Sequence, residues 1–279
     1  MGEQIFRAGR TAVVTGAALG IGKAACRRFA ELGMSVCLSD LPGDDLDEAA
    51  GAVRSAAPSD DAVMVQPTDV ADPGQLAALH RAVVDRFGTV NVLMNNAVTR
   101  IGRDKPTDVA QWRRAMEVNF WGVVEGCQAF LPTMLAAEGP GRIINVGSKQ
   151  GITNPPGNTI YNVTKSAVKT YTEALEHDLR TTAGNGGVGA VTAHLLVPGW
   201  TTTGKNAHKP GAWLPEQVVA TMIEAVDAGQ FYIVCPDNEV TAEMDRRRIL
   251  WAAGDITEGR PPLSRWHPDF KDIAAKACN

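Results

Sequence analysis

The pentapeptide YNVTK, Tyr161 to Lys165, is open to two kinds of chemistry. Asn162-Val163-Thr164 matches the N-x-[ST] acceptor for N-glycosylation, which belongs on the surface of a secreted chain. Tyr161 and Lys165, four residues apart, would share one face of a helix, and an ammonium beside a phenol lowers the cost of ionising it. That second pairing suits proton transfer. A free tyrosine titrates at about 10 and is a poor base at neutral pH, so a tyrosine that handles protons needs such a neighbour. Of the three tyrosines only Tyr161 has one, since Leu175 stands four residues after Tyr171 and Pro236 four after Tyr232.

Compartment bears on the choice. The start, MGEQIFRAGRTAVVTG, has no basic segment followed by an apolar run of signal-peptide length, and Phe6 stands where myristoylation needs Ser or Thr. No stretch approaches the roughly 20 apolar residues that span a bilayer. The five cysteines, Cys26, Cys37, Cys127, Cys235 and Cys278, are odd in number and scattered, which fits reduced packing thiols. The expectation is a cytoplasmic protein with no membrane association. A net charge of −4, with Arg246-Arg247-Arg248 as the one cationic run, argues against nucleic acid as a partner. The histidines lack metal-ligand spacing among themselves or with cysteine, so no metal site is expected.

A second set of residues could hold a dinucleotide. TGAALGIG places glycines at 16, 20 and 22 between an apolar β-branched run and a helical one. A tight turn without Cβ atoms lets pyrophosphate approach backbone N–H groups at the positive end of a helix. The next apolar run ends in Asp40, about 20 residues on, where a carboxylate accepts hydrogen bonds from an adenosine ribose diol. An acid there repels a 2′-phosphate, and Leu41 offers no compensating cation, so NAD is expected over NADP.

The elements that must position these residues alternate along the chain. TAVVTG, SVCLSD, AVMVQPTD, VNVLMNNA, RIINVGS, VTAHLLVPG and FYIVCP read as seven strands, with helices near 20–32, 44–57, 72–87, 107–137, 158–182 and 214–228. That is an α/β pattern, a Rossmann-type doubly wound parallel sheet, expected as a single domain over 1–279 with its core in 8–236. The glycine-rich stretches GPGR (139–142) and GNGGVG (184–189) read as helix-to-strand turns. The extension 237–279 holds a capped helix in DNEVTAEMDRRRILWAAG and an irregular stretch in SRWHPDF.

Taken together, the sequence resembles the single-domain branch of the short-chain dehydrogenase/reductases over residues 8 to 236. The family's T-G-x-x-x-G-x-G loop matches Thr15 to Gly22, its adenine-side acid matches Asp69, and its N-N-A element matches Asn95-Asn96-Ala97, followed here by Val98 in place of the usual glycine. Its helix-interrupting asparagine, its serine and its tyrosine–lysine pair match Asn119, Ser148, Tyr161 and Lys165. The resemblance implies a cofactor lying along Gly16, Leu19, Gly20, Ile21 and Gly22, past Asp40 and Leu41, with Asp69, Val70, Asn96 and Ala97 on the adenosine side. Beyond these, Tyr161, Lys165 and the segment Pro198, Gly199, Thr201 and Thr203 would meet the nicotinamide half. It also implies roles: Ser148 holds the substrate oxygen, Lys165 also binds the nicotinamide ribose, and Asn119 holds a water that links Lys165 to solvent. Under this reading the sequon inside the catalytic helix is incidental.

The expected function is NAD-dependent hydride transfer between a nicotinamide and a secondary alcohol or ketone, with Tyr161 as general acid/base. The substrate pocket is expected from the loop after Val98, from 149–158 and from 200–214, with Ser148, Gln150, Pro155, Tyr161, Trp200 and Trp213 on its wall. A catalytically silent dinucleotide sensor or scaffold is the alternative, disfavoured because it has no chemical need for Tyr161. A sugar-nucleotide epimerase predicts a different glycine spacing and a larger C-terminal domain. The resemblance further implies a homotetramer, or a homodimer, built partly by the helices at 107–137 and 158–182, and the tail is expected to reach a neighbouring subunit.

Overall fold

The computed structural model of the chain describes residues 4–99, 108–182 and 190–279. The turn expected at 184–189 and most of the loop after Val98 lie outside the described residues. Seven parallel strands form one sheet in the order β3-β2-β1-β4-β5-β6-β7. They are β1 (Thr11–Thr15), β2 (Ser35–Ser39), β3 (Val63–Val65), β4 (Val92–Asn95), β5 (Gly141–Val146), β6 (Val191–Val197) and β7 (Tyr232–Val234). Every residue of β1 and β4 is buried, because helices cover both faces of the sheet and no side of the strand alternation reaches water.

One core lies between the sheet and α1 (Gly20–Glu31), α2 (Asp44–Arg54) and α8 (Pro215–Asp227), with Phe29, Leu38 and Met222 inside it. The opposite core is closed by α3 (Pro73–Phe87) and α5 (Gly122–Ala136), around Leu79, Leu93 and Phe130, with α7 (Thr159–Thr182) alongside. The single helix expected over 107–137 is instead two helices. α4 (Val109–Met116) and α5 are joined by one turn of π-helix at Glu117–Trp121, and Asn119 sits in that turn.

The C-terminal extension is more ordered than its sequence suggests. Thr241 caps α9 (Ala242–Thr257) by accepting from the Met244 N–H at 3.2 Å, in line with the expected capped helix. SRWHPDF, expected to be irregular, contains a helical turn at Ser264–Trp266 and leads into α10 (Lys271–Cys278). What organises it lies outside the local pattern. Trp251 Nε1 donates to Ser264 Oγ at 2.7 Å, Ser264 Oγ donates to Asp255 at 2.5 Å, and Arg260 pairs with Asp255 at 3.0 Å.

Candidate active site

The strand order reverses direction between β1 and β4, and in open α/β sheets ligands bind at the carboxyl ends of strands flanking such a switch. The two chain segments emerging there are the glycine loop after β1 and Asn95-Asn96-Ala97 after β4, and they are bolted together. Thr15 Oγ1 accepts from the N–H groups of Asn96 and Ala97 at 3.1 and 3.2 Å. Asn96 Nδ2 donates back to the Thr15 and Gly16 carbonyls at 3.0 and 2.9 Å.

The loop is a cradle that side chains would fill. Gly16 has φ +67°, and a Cβ on it would lie 2.7 Å from the Ala97 Cα. A Cβ on Gly22 would run into the Gly16 carbonyl. Leu19 precedes α1 without a side-chain cap, and no acid occupies the first turn, unlike α3, where Asp72 accepts from Gly74 and Gln75. The positive end of α1, running through Ile21, is therefore open to an anion. A dinucleotide pyrophosphate fits this combination of small residues and uncapped N–H groups.

Asp40 stands beside the same loop. Its carboxylate accepts from the Ala18 N–H at 2.9 Å and the Leu41 N–H at 2.8 Å, so it fixes the loop while remaining partly open to solvent. Leu41 is exposed. Asp69 holds its own turn through the Ala71 N–H at 3.0 Å and pairs with Arg114 at 3.2 Å. Val70, next to it, is buried and fills the space against Gly122. Thr203 reaches the cradle from the far side, its methyl 3.1 Å from where a Gly20 Cβ would sit.

The catalytic candidates converge at the same end of the sheet. Lys165 is 2% exposed, and its Nζ donates to the Val146 carbonyl at 2.7 Å and lies 5.8 Å from the centre of the Tyr161 ring. Ser148, two residues past Val146, accepts from the Gln150 N–H at 3.2 Å. Asn119 is fully buried. Its Oδ1 accepts from the Thr99 N–H at 2.7 Å, and its Nδ2 donates to the Thr99 carbonyl and to Thr164 Oγ1, each at 3.2 Å. The π-turn aims this side chain inward at the Tyr161 helix, as an inserted residue in a helix often does at functional sites. Asn162 is 6% exposed and donates to the Pro155 carbonyl at 2.8 Å, so the sequon carries no accessible amide.

A family model described as short chain dehydrogenase matches residues 10–211. The chain belongs to that family. A Xanthobacter autotrophicus 2-(R)-hydroxypropyl-CoM dehydrogenase is 32% identical over 235 residues, 80% of this chain and 90% of that one. A Mycobacterium tuberculosis protein named as an oxidoreductase, SadH, is 38% identical over 172 residues, and the match spans 61% of each chain. Among solved structures, a Burkholderia phymatum short chain dehydrogenase/reductase in complex with NAD superimposes with a TM-score of 0.81 at 30% identity, covering 92% of this chain and 97% of that one. That likeness agrees with the Rossmann-like, seven-stranded parallel sheet described above.

Within this short-chain dehydrogenase frame, several contacts escaped the sequence reading. Asn95 and Asn145 face each other across β4 and β5, and Asn95 Nδ2 donates to Asn145 Oδ1 at 2.9 Å. Asn145 donates to Thr172 on α7 at 3.1 Å, so a buried polar chain fixes α7 to the sheet. Lys149 forms a second anchor. It lies 2.6 Å from Asp245 and 3.5 Å from Asp237, and Asp237 also accepts from the Trp200 N–H at 3.0 Å. A Cβ on Gly199, which follows Pro198, would lie 2.7 Å from Asp237 and 2.9 Å from Lys149 Nζ. One ammonium therefore ties the serine loop, the Pro198-Gly199 turn and the C-terminal helix together. No local pattern marks this triad, because its three members come from separate segments.

The residues expected on the pocket wall stand in different surroundings. Gln150, Pro155 and Ile152 line a cavity of about 200 Å³, and its opposite wall is the C-terminal extension, with Arg248, Arg265 and Trp266. Trp213 instead packs on the α1/α8 core and pairs with Thr201, while Trp200 is 43% exposed. Among the described residues no cluster of His, Cys, Asp or Glu is placed to hold a metal, and no helix is long and apolar enough to cross a membrane.

Proposed function

We propose that the protein is an NAD-dependent oxidoreductase acting on a secondary alcohol or ketone. The observation that carries this reading is the buried Lys165, held on the Val146 carbonyl and facing the Tyr161 ring, one strand-end from Ser148. A lysine is rarely buried without a task, and a positive charge fixed beside a phenol favours negative charge on its oxygen. Tyr161 acts as the general acid/base, taking or giving the proton of the substrate oxygen. Ser148 donates to that oxygen and orients it. Lys165 also binds the nicotinamide ribose, and Asn119, packed against Thr164 and Thr99, supports a water that relays the proton to solvent.

The cofactor, when bound, supplies or accepts the hydride. Gly16, Gly20 and Gly22 hold its pyrophosphate, Asp40 its adenosine ribose, Asp69, Val70, Asn96 and Ala97 its adenosine side, and Pro198, Gly199, Thr201 and Thr203 its carboxamide side. The preference for NAD over NADP is supported by the Asp40 carboxylate, which repels a 2′-phosphate, and by Leu41 beside it, which offers no cation. The proposal includes a cytoplasmic setting, supported by five buried thiols with no disulfide. It also includes a homotetramer or homodimer, supported by the exposed apolar residues Val109, Trp121, Leu135 and Val163 on α4, α5, α7 and the π-turn. The test is absorbance at 340 nm while the purified protein meets secondary alcohols with NAD⁺, and ketones with NADH or NADPH. Turnover with NADH ahead of NADPH is expected. Silence across a broad panel despite tight NADH binding would count against the enzyme reading.

A further inference from the structure

The cavity between the serine loop and the C-terminal extension has an unbalanced set of charges. Arg248 and Arg265 both line it, and among the described residues neither has a carboxylate within 4.0 Å. Arg248 spends one nitrogen on Asn279, Nη2 donating at 3.1 Å, while its Nε is buried with no partner. Arg265 stacks on Trp266, its guanidinium 4.9 Å from the ring centre. Burial, and next the charge of Arg248, push the Arg265 guanidinium below its ordinary range, against smaller opposite effects of Cys278 and Asp245. The third cation, Lys149, is already neutralised by Asp245 and Asp237.

The rest of the wall joins apolar Ile152, Pro155, Val234 and Ile249 to Gln150, Thr153 and Asp245, the last paired with Lys149. In such surroundings a guanidinium donor and an oxyanion attract strongly, and the planar fork of arginine suits two oxygens of one group. The size is set as well: about 200 Å³ exceeds the roughly 150 Å³ cavity that admits benzene, so a short chain and its head group fit. The cavity begins at Gln150, whose N–H bonds Ser148 Oγ.

We propose that this cavity receives an oxyanion, a carboxylate, sulfonate or phosphate, carried by the substrate, with Arg248 and Arg265 as its donors. The substrate is then a short hydroxy or oxo acid whose reacting carbon lies at Ser148 and whose acidic end lies against the C-terminal extension. This rests on the reading of Ser148 and Tyr161 as the reacting centre, although the anion site itself does not.

Two measurements separate the two ideas. The first compares 3- to 5-oxo acids with their methyl esters as ketones with NADH, in the native protein and in Arg248→Gln, Arg248→Lys and Arg265→Gln. The native ratio of kcat/KM for acid over ester is expected to be about tenfold or more, the usual scale of a charged hydrogen bond, and to fall toward unity in both Gln variants. Arg248→Lys, which keeps the charge and loses the fork, should fall between. The second is calorimetric titration of butanoate, propanesulfonate and propyl phosphate into the same four proteins, which needs no turnover; it also says which anion the site prefers. Binding weakened about tenfold by each Gln variant is expected. Ester turnover with no acid preference, or an acid preference indifferent to both arginines, would overturn the substrate assignment and leave hydride transfer standing. Anion binding lost in the variants, without turnover of any ketone, would keep the anion site and remove the reacting centre. No calorimetric binding of any of the three probes would overturn the site outright.

Discussion

Asn119 Nδ2 stands 3.2 Å from Thr164 Oγ1, and that hydroxyl donates in turn to the Tyr161 carbonyl at 2.9 Å. The π-turn is thereby tied to the first turns of α7, which carry Tyr161 and Lys165. Asn119 and Thr164 are both fully buried. Thr164→Val keeps the shape and removes the hydroxyl, leaving an Asn119 N–H without its acceptor, at a cost of about 1–3 kcal/mol. Thermal unfolding should register this as a fall of roughly 2–4 °C per kcal/mol. An unmoved Tm would show that the hydroxyl holds nothing.

Tyr161→Phe removes the phenol oxygen while keeping the ring that faces Lys165. Loss of a general acid/base costs about 10²–10⁴-fold in turnover. NADH affinity should hardly change, because the phenol acts on the substrate oxygen. Fluorescence titration with NADH beside the 340 nm assay checks both halves. Parallel loss of binding and turnover would move Tyr161 from the chemistry to the cofactor site.

The sheet and its strand count were legible because their signals are local: β-branched runs between helical stretches, with glycine spacing and an i, i+4 pair marking the candidate residues. The split helix was legible only through the resemblance at Asn119, not through periodicity. The break at Glu117–Trp121 comes from an inserted residue whose side chain is held by Thr99 and Thr164, contacts made only after folding. Lys149 was equally hidden, since its meaning depends on Asp237 and Asp245, nearly a hundred residues downstream. The surroundings of the tryptophans at 200 and 213 were hidden in the same way: Trp213 packs partly on the core, a contact that no local pattern marks. The second wall of the cavity at Gln150 comes from the extension, whose order rests on the Trp251, Ser264, Asp255 and Arg260 contacts rather than on helical periodicity.

Lys149→Met tests the anchor directly. It would leave the largely buried Asp237 and Asp245 facing each other without their cation. Removing one member of a buried ion pair costs about 3–5 kcal/mol. Urea unfolding should show that loss, and adding Asp245→Asn to Lys149→Met should restore part of it. Additive losses in the double variant would mean that the three groups do not act as a unit.

Asp40→Ala should act on both the loop and the cofactor choice. The carboxylate now accepts from the Ala18 and Leu41 N–H groups, so the variant loosens the turn that leads into α1. NADH binding should weaken, and NADPH should gain relative to NADH because the charge that repels a 2′-phosphate is gone. Dissociation constants for both nucleotides, measured side by side, decide it. An unchanged ratio would remove Asp40 from the ribose and leave it as a loop brace.

His194, on β6, sets a pH dependence unrelated to catalysis. It is 3% exposed, with Nδ1 against the Gln230 carbonyl at 2.8 Å and Nε2 against Thr192 at 2.9 Å. Burial, with a smaller push from the charge of Arg142, drives its pKa down to about 4 against the Gln230 contact that favours the proton. In the unfolded chain a histidine titrates at about 6.5, so between these values the unfolded state binds more protons than the folded one. Stability from this group is therefore complete above about pH 6.5 and drains away as the pH falls toward the folded pKa, a loss on the order of 3 kcal/mol. Urea unfolding of the native protein and of His194→Asn at pH 7 and pH 5 isolates the effect from the carboxylates, which both proteins share. The variant should be less stable at pH 7, where it has lost packing and hydrogen bonds, but should lose less on acidification. Parallel falls in the two proteins would mean that His194 takes up its proton without unfolding the strand around it.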